Sequence, residues 1–491
     1  MLKKWQKRVE GSFAESSLSV NKKTFYITTP IYYVNDVPHI GHTSTTIFAD
    51  IIARYHKELG KEVFFLTGTD EHGAKIAQAA EKAGLSPKEF CDSIAPRFEK
   101  IWKRLNISNE FFIRTTNPKH KKVVQELINK IYQKGDIYKS VYQGLYCIGC
   151  EKFLTESDLE NGHCPLHPPE QTVEQKEENW FFKLSKYIPQ LIKLIEDDDT
   201  NYIFPEGKRQ EVLSKLKAGV HDISFSRANV KWGIPILWDK TQTIYVWVDA
   251  LINYYSATVF LPGKEKFWPA NIHLLAKEIL WFHTVIWQAM LMAAGLPLPH
   301  KTFTHSFYIM DDKKMSKSLG NLIKPEEMIK LFGIDASRYL VASSLPLEND
   351  TNVSIDRFKQ KYNADLANGL GNLVSRTAKL SQKNNFKLKG EFKPKFIKKA
   401  AEALNALNPP KALEVIWNES ESGVSATNKL FNDKKIWELK GEKLENALEK
   451  VVANLLTIAY NLKPFMPKTS KKIEATFLKG EKLAKPLFPR I

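Results

Sequence analysis

The stretch Thr28–His42, TTPIYYVNDVPHIGH, decides the fold. It continues the β-branched and aromatic run Thr24–Thr29, which predicts a buried strand. It leads into Thr43–Leu59, where Ile47, Ile51, Ile52, Tyr55 and Leu59 recur at helical spacing and Gly60 is placed to end the helix. His39-Ile40-Gly41-His42 therefore sits where a strand turns into a helix. That turn offers unpaired N–H groups and the positive end of the helix dipole, a natural seat for phosphate. Gly41 lets a phosphate or a base approach the backbone, and the imidazoles of His39 and His42 can donate to phosphate oxygens as charge builds on them. A four-residue pattern of this kind also serves as an ordinary helix cap, so the reading needs a second feature.

Upstream, Met1–Lys23 is basic but holds Glu10 and Glu15, acids that a mitochondrial transit peptide would lack. A flexible basic leader over residues 1–22 of a cytoplasmic protein is expected, with the mitochondrial matrix as the alternative. Downstream, Glu62–Gly68 reads as a second buried strand, with Thr69-Asp70-Glu71-His72-Gly73 at its C-terminal end. In an open α/β sheet that edge is where ligands bind. Asp70 is there either a ligand carboxylate or a cap for the helix Lys75–Ala83. Helical patterns follow over Pro87–Leu105 and Pro118–Lys134, and aromatic strands over Ile137–Tyr146 open an insertion.

Within the insertion, Cys147-Ile-Gly-Cys150 is followed after 13 residues by Cys164-Pro-Leu-His167. Two such pairs make a closed tetrahedral zinc cage with no position left for water, so the expected zinc is structural. With three of 4 cysteines in that cage, a disulfide scaffold is not expected and a reducing compartment is. Helices are expected at Trp180–Glu196 and Lys208–Leu216. Tyr245–Tyr254 (YVWVDALINY) reads as a strand becoming a helix, with Trp247, Ala250, Leu251 and Tyr254 on one wall, either plain core or a pocket. Asn271–Leu275 is a further buried strand before a long apolar helix, Lys277–Ala294.

The second feature is Lys314-Met315-Ser316-Lys317-Ser318, followed by Leu319-Gly320-Asn321. Lysines, hydroxyls and a glycine in a loop after an apolar run suit a clamp on a polyphosphate. Taken with His39–His42 in this order and at this separation, the chain resembles the methionyl branch of the class I aminoacyl-tRNA synthetases. The likeness runs from about Phe25 to the C-terminus and is strongest in Thr28–Gly73, Tyr245–Tyr254 and Thr304–Asn321.

From Asp356 onward the chain reads as helix after helix, an all-α bundle. The 491 residues carry a formal charge of +17, with a pI near 9.3, which favours an anionic partner. No apolar run approaches the ~20 residues of a spanning helix, so nucleic acid is favoured over membrane.

The resemblance implies a Rossmann-like α/β catalytic domain split by a zinc-bearing insertion, followed by a helical-bundle anticodon-binding domain. The expected spans are 23–118 and 230–324 for the two catalytic halves, 119–229 for the insertion, 325–355 for a connector that contacts the tRNA stem, and 356–491 for the bundle. No repeats and no further C-terminal tRNA-binding or dimerisation module are expected, and the expected state is a monomer. The implied reaction activates methionine with ATP and Mg²⁺ and transfers it to the 3′-terminal adenosine of tRNA(Met). His39, His42, Lys314 and Lys317 would be catalytic, and Gly41, Glu278 and Ser316 would join them on ATP. Ala276-Lys277-Glu278 stands where the family commonly has Gly-Lys-Asp, and Glu278 would accept from the ribose hydroxyls after a small shift. Ile31, Tyr33, Asp70, Trp247, Ala250, Leu251, Tyr254, Phe282 and His283 would enclose methionine, with Asp70 on its amino group. Asn372, Arg376 and Trp437 would read the anticodon. Trp437 alone is equally a core anchor, and Ile436 replaces the proline usual before it.

Other class I synthetases are the nearest rivals, but the valine, isoleucine and leucine enzymes need a larger editing insertion than the interval from His39 to Lys314 allows, and the cysteine enzyme needs an open zinc. A catalytically silent tRNA-binding relative would not need both signatures intact. A nucleotidyltransferase would not need the helical third.

Overall fold

Phe25, Ile27, Val63, Phe65, Leu274 and Phe303 lie in one apolar core, whereas Tyr26, Phe64, Leu66, Ile113 and Ile203 lie in another. Alternation of this kind along strands that are buried on both sides is what a parallel sheet between two helical layers requires. The computed structural model describes residues 23–34, 37–150, 152–154, 156, 159–165, 167–197, 202–310, 312–314 and 322–491. The expected leader lies outside them.

The six strands are all parallel, in the order Phe111–Arg114, Glu62–Asp70, Thr24–Tyr33, Ile272–Ala276, Thr302–His305, Ile203–Phe204. The order reverses between Thr24–Tyr33 and Ile272–Ala276, so the C-terminal ends of these two strands form the switch-point crevice. Ile40–Glu58 is the helix that follows the first strand, and Gly60 takes the left-handed φ of +79° just after its end. Its first turns hold Thr43, Ser44 and Thr46, whose buried hydroxyls donate back to the carbonyls of His39, Gly41 and His42. Gly68 is fixed by packing: a Cβ there would meet the Ile113 carbonyl oxygen at 2.0 Å.

Local pattern was overridden in the insertion. Ile137–Cys147 is one strand, paired antiparallel with Thr172–Phe182 from Ile137 opposite Phe182 to Cys147 opposite Thr172. The helix expected from Trp180 is displaced, because Trp180, Phe181 and Phe182 complete this hairpin and the helix runs only over Ile188–Glu196. Pairing with residues 41 to 45 positions earlier in the chain fixes that segment, and no local periodicity reports it. Ile203–Phe204, inside the span expected as insertion, returns to the parallel sheet as its edge strand. The expected strand-to-helix stretch is nearly all helix, Val246–Phe260. The long helix expected over Lys277–Ala294 is broken into a tight turn Lys277–Ile279, a π-helical turn Phe282–Ile286 and the helix Trp287–Ala294.

Beyond the connector helices Pro325–Phe332 and Ile334–Ser343 and the short strand Thr351–Asn352, the chain is mostly helical from Ile355 to Leu478, with a non-helical stretch over 384–397; it includes Gly441–Leu462 and a last helix Pro467–Leu478 not expected from the sequence. One continuous apolar core runs from Ile47, Phe48 and Ile51 through Tyr339 and Leu340 to Leu448, Val451 and Leu455. The bundle is thus packed onto the face of the sheet that the helix Ile40–Glu58 covers.

Candidate active site

At the crevice, His39 caps the helix Ile40–Glu58: its Nδ1 accepts from Gly41 N–H at 3.1 Å. The neutral ring then carries its proton on Nε2, which leaves that nitrogen as a donor. Gly41 is needed by His39 itself, since a Cβ there would lie 2.9 Å from His39 Cε1. His42 stacks on His39 at 3.9 Å between centroids and rests against Tyr32 and Phe98. Burial first, and then the nearness of the second imidazole of His39, push His42 well below the ordinary imidazole range, so it is neutral near pH 7. A neutral imidazole still donates through its one N–H, so both rings can hydrogen-bond phosphate oxygens as charge builds on them.

The lysine loop begins close by. Ile40 N–H donates to Ile323 O at 3.0 Å, so the turn is bonded to the chain just beyond that loop. Thr45 Oγ1 pairs with His305 Nε2 at 2.7 Å, at the end of the strand leading into it. Lys314 lies in the short strand Lys313–Lys314, antiparallel to Tyr308–Met310. Ser316 and Lys317 lie outside the described residues. Glu278 is exposed in the turn Lys277–Ile279 at the end of the neighbouring strand, beside the ion pair Lys277–Asp350 at 2.7 Å.

Across the crevice, Trp247, Ala250, Leu251 and Tyr254 share a face of Val246–Phe260, and the π-helical turn sets Phe282 and His283 against it. Trp247 and Phe282 stack at 4.2 Å and 13°, a pairing that contributes about 0.5–1.5 kcal/mol beyond its buried area. Leu251 is wholly within the core, whereas Trp247 and Phe282 are half-buried. His283 Nδ1 donates to Ile279 O at 2.9 Å, so its Nε2 accepts from the Tyr254 hydroxyl at 2.7 Å. Tyr33 and Asp70 are opposite each other in register, as are Ile31 and Gly68. Asp70 does not cap the next helix, because Gly73 holds that position.

Two supports for this wall were not legible beforehand. Glu71 is buried and accepts from Arg114 at 2.6 and 3.0 Å. His72 Nδ1 and His120 Nε2 each lie 2.7 Å from one oxygen of Asp249. Burial pushes the Asp249 carboxyl up, but the charges and hydrogen bonds of His72 and His120 outweigh it and hold it at about 2. The run Asp70-Glu71-His72 was visible as a chemical cluster, yet its partners stand 43 and 177 residues away.

This set predicts the acid limb of stability. Burial depresses His283 and His305 from 6.5 to about 4, and depresses His42 and His273 as well. The unfolded chain therefore binds more protons below pH 6.5, and stability is lost as pH falls from there toward 4. His283 and His305 would account for up to about 3 kcal/mol each. Depressed Asp249 extends the loss below pH 4. Thermal melts between pH 7.5 and 4.5 should show a steadily falling Tm; a Tm independent of pH over that range would contradict it.

Comparison with known proteins bears on this arrangement. Residues 25–172 and 158–378 match the family model described as tRNA synthetases class I (M). The chain belongs to that family. The methionine–tRNA ligase of Thermotoga maritima is 44% identical over 474 residues, 91% of this chain and 74% of that protein. The chloroplastic/mitochondrial methionine–tRNA ligase of Arabidopsis thaliana is 46% identical over 381 residues, 76% of this chain and 62% of that protein. Mycobacterium tuberculosis methionyl-tRNA synthetase in complex with methionyl-adenylate superposes with a TM-score of 0.83 at 33% identity, covering 92% of this chain and 93% of that one.

In this class I synthetase the hairpin Ile137–Cys147/Thr172–Phe182 carries at its tip four residues that could hold a metal ion. Donor atoms of Cys147, Cys150, Cys164 and His167 all lie within 4.8 Å of one another. Sulfur-to-nitrogen separations to His167 Nδ1 are 3.6, 3.3 and 3.7 Å, and Cys150 Sγ to Cys164 Sγ is 3.6 Å. A tetrahedral zinc with bonds of about 2.3 Å to sulfur and about 2.0 Å to nitrogen needs donor edges of about 3.4–3.8 Å, so the group fits.

On the synthetase's helical domain, Asn372 and Arg376 lie one turn apart on Asn372–Lys383. The Arg376 guanidinium sits 4.3 Å from the Phe431 ring and 5.2 Å from that of Trp437, and it donates to Asn432 Oδ1 at 2.9 Å. The core anchor of this turn is Ile436, fully buried where the family usually has proline; Trp437 is 47% exposed. Its indole thus lies open beside an arginine. Asn432 was not singled out from sequence, since its link to Arg376 spans 56 residues.

Proposed function

We infer that this chain is a methionine–tRNA ligase, which forms methionyl-adenylate and pyrophosphate from methionine and ATP and then transfers the methionyl group to the 3′-terminal adenosine of tRNA(Met). The observation that carries this reading is the meeting, at one sheet edge, of the His39–His42 turn, the chain just beyond the lysine loop and an aromatic wall whose Tyr254 is close enough to Asp70 to feel its charge. An oxygen of the methionine carboxylate attacks the α-phosphorus of ATP and pyrophosphate leaves. His39 and His42 donate to the phosphates, with Lys314, Ser316 and Lys317 supplying the clamp and Glu278 the ribose. Asp70 holds the α-ammonium, and Ile31, Tyr33, Trp247, Ala250, Tyr254, Phe282 and His283 enclose the thioether, for which aromatic contacts are worth about 0.3–1.5 kcal/mol each. Both steps need positioning and charge stabilisation, and no protein nucleophile.

Mg²⁺, when bound with ATP, screens the pyrophosphate charge. Zinc held by Cys147, Cys150, Cys164 and His167 is structural. No described helix is long and apolar enough to cross a membrane, and a cytoplasmic site of action is the simplest setting. The test is amino-acid-dependent exchange of pyrophosphate into ATP, run with every proteinogenic amino acid. Exchange is expected with methionine far above the rest; exchange driven by another amino acid, or by none, overturns the reading.

Asn372, Arg376 and Trp437 read the anticodon, because unpaired bases are recognised by stacking and by hydrogen bonds to their edges. Stacking on one aromatic is worth about 1–3 kcal/mol per base. Trp437→Ala is therefore expected to raise the KM for tRNA about ten- to a hundredfold, with methionine-dependent exchange unchanged. Equal losses on a CAU transcript and an anticodon-swapped one would place the indole in a structural role instead.

A further inference from the structure

We propose that Arg338 is a positioning residue for tRNA charging: it joins the helix leading from the anticodon face to the helix carrying the ATP signature and fixes the span between them. The proposal rests on the ligase reading above.

Helix Gly441–Leu462 begins four residues after Trp437 and runs 22 residues, about 33 Å. Just past its far end, the carbonyls of Pro464 and Phe465 accept from Arg338 Nη2 and Nε, both at 2.8 Å. Nη2 also lies 2.6 Å from Asp50 Oδ2, and Nη1 reaches Leu105 O at 3.3 Å. Asp50 stands eight residues beyond His42 on the same helix, about 12 Å along its axis. Its other oxygen accepts from Ser108 N–H and Oγ–H at 2.7 Å each. One turn before Arg338, Asp335 Oδ2 accepts from Thr469 N–H at 2.6 Å, in the first turn of the last helix. Arg338 and Asp50 are both wholly buried.

A buried ion pair is a poor source of stability, since apolar side chains of like volume often do as well. What a planar fork adds is geometry: its donors point in fixed directions and hold carbonyls from separate segments in register. A smooth apolar seam has no such register and can slide. The geometry matters because one rigid RNA must meet Trp437 and the crevice at once. The second contact gains from the first only while the two sites keep the span the ligand requires.

The test uses the full chain, with Arg338→Lys, which keeps a charge opposite Asp50 and gives up the fork, and Asp335→Ala, which loosens the same seam without touching the ion pair. A folding failure in one leaves the other to decide. Methionine-dependent exchange and binding of an isolated CAU anticodon hairpin should stay within about threefold of wild type, since neither site is altered, while kcat/KM for whole tRNA falls about ten- to a hundredfold. A variant whose charging falls no more than its exchange or hairpin binding would overturn the proposal. Wild type lacking methionine-dependent exchange would instead overturn the ligase reading beneath it.

Discussion

His39→Asn is expected to slow methionine-dependent pyrophosphate exchange by about a hundred- to a thousandfold while leaving Tm nearly unchanged, the scale of removing one preorganised transition-state donor. The prediction separates two jobs of one side chain. His39 Nδ1 accepts from Gly41 N–H and caps the helix Ile40–Glu58. Asparagine is among the best N-cap residues and keeps that acceptor. It cannot reproduce the imidazole Nε2–H, which lies on the far side of the ring from the capping nitrogen. Its shorter side chain also withdraws the surface on which His42 stacks at 3.9 Å. Exchange measured at saturating ATP and methionine, beside a thermal melt, checks both halves. Unimpaired exchange would mean that His39 is only a cap; a large fall in Tm would mean that capping does not account for its structural part.

Cys147→Ser is expected to lose zinc and unfold the tip of the insertion, because the free energy of a structural zinc site, about 10–16 kcal/mol in small peptides, is folding free energy. The damage should reach the crevice. Lys75 Nζ donates to Gly149 O, inside the Cys147–Cys150 loop, and Lys75 belongs to the helix that starts four residues after Asp70. Gly149 lies so close to His167 that a Cβ would meet its ring at 2.3 Å, so the loop is shaped around the metal group. Metal analysis should find one zinc per wild-type chain, and hydrogen exchange should show lost protection over Ile137–Phe182. Methionine KM should rise more than ATP KM. Protein purified without zinc but with that segment protected would rule the structural site out.

Some of this was fixed by the chain's local chemistry. A strand, a histidine-bearing turn and a helix can be read from Thr24–Leu59 because the period changes from buried run to helical repeat within one stretch. Two cysteine-containing pairs 13 residues apart name the four residues that could hold a metal ion, since their ligand types and spacing are the information. The helical third is legible for the same reason: its apolar repeat is local.

Only the tertiary structure decided which groups meet. The hairpin strand Thr172–Phe182 exists because Ile137–Cys147 lies beside it. The switch point depends on Ile272–Ala276 pairing with a strand some 245 residues earlier. Glu71 with Arg114, Asp249 with His72 and His120, Arg376 with Asn432, and Asp50 with Arg338 are all pairs of polar groups far apart in sequence. Local pattern reports which residues prefer a core and which period they follow. A buried polar group states only that it needs a partner, and the partner is named by the fold.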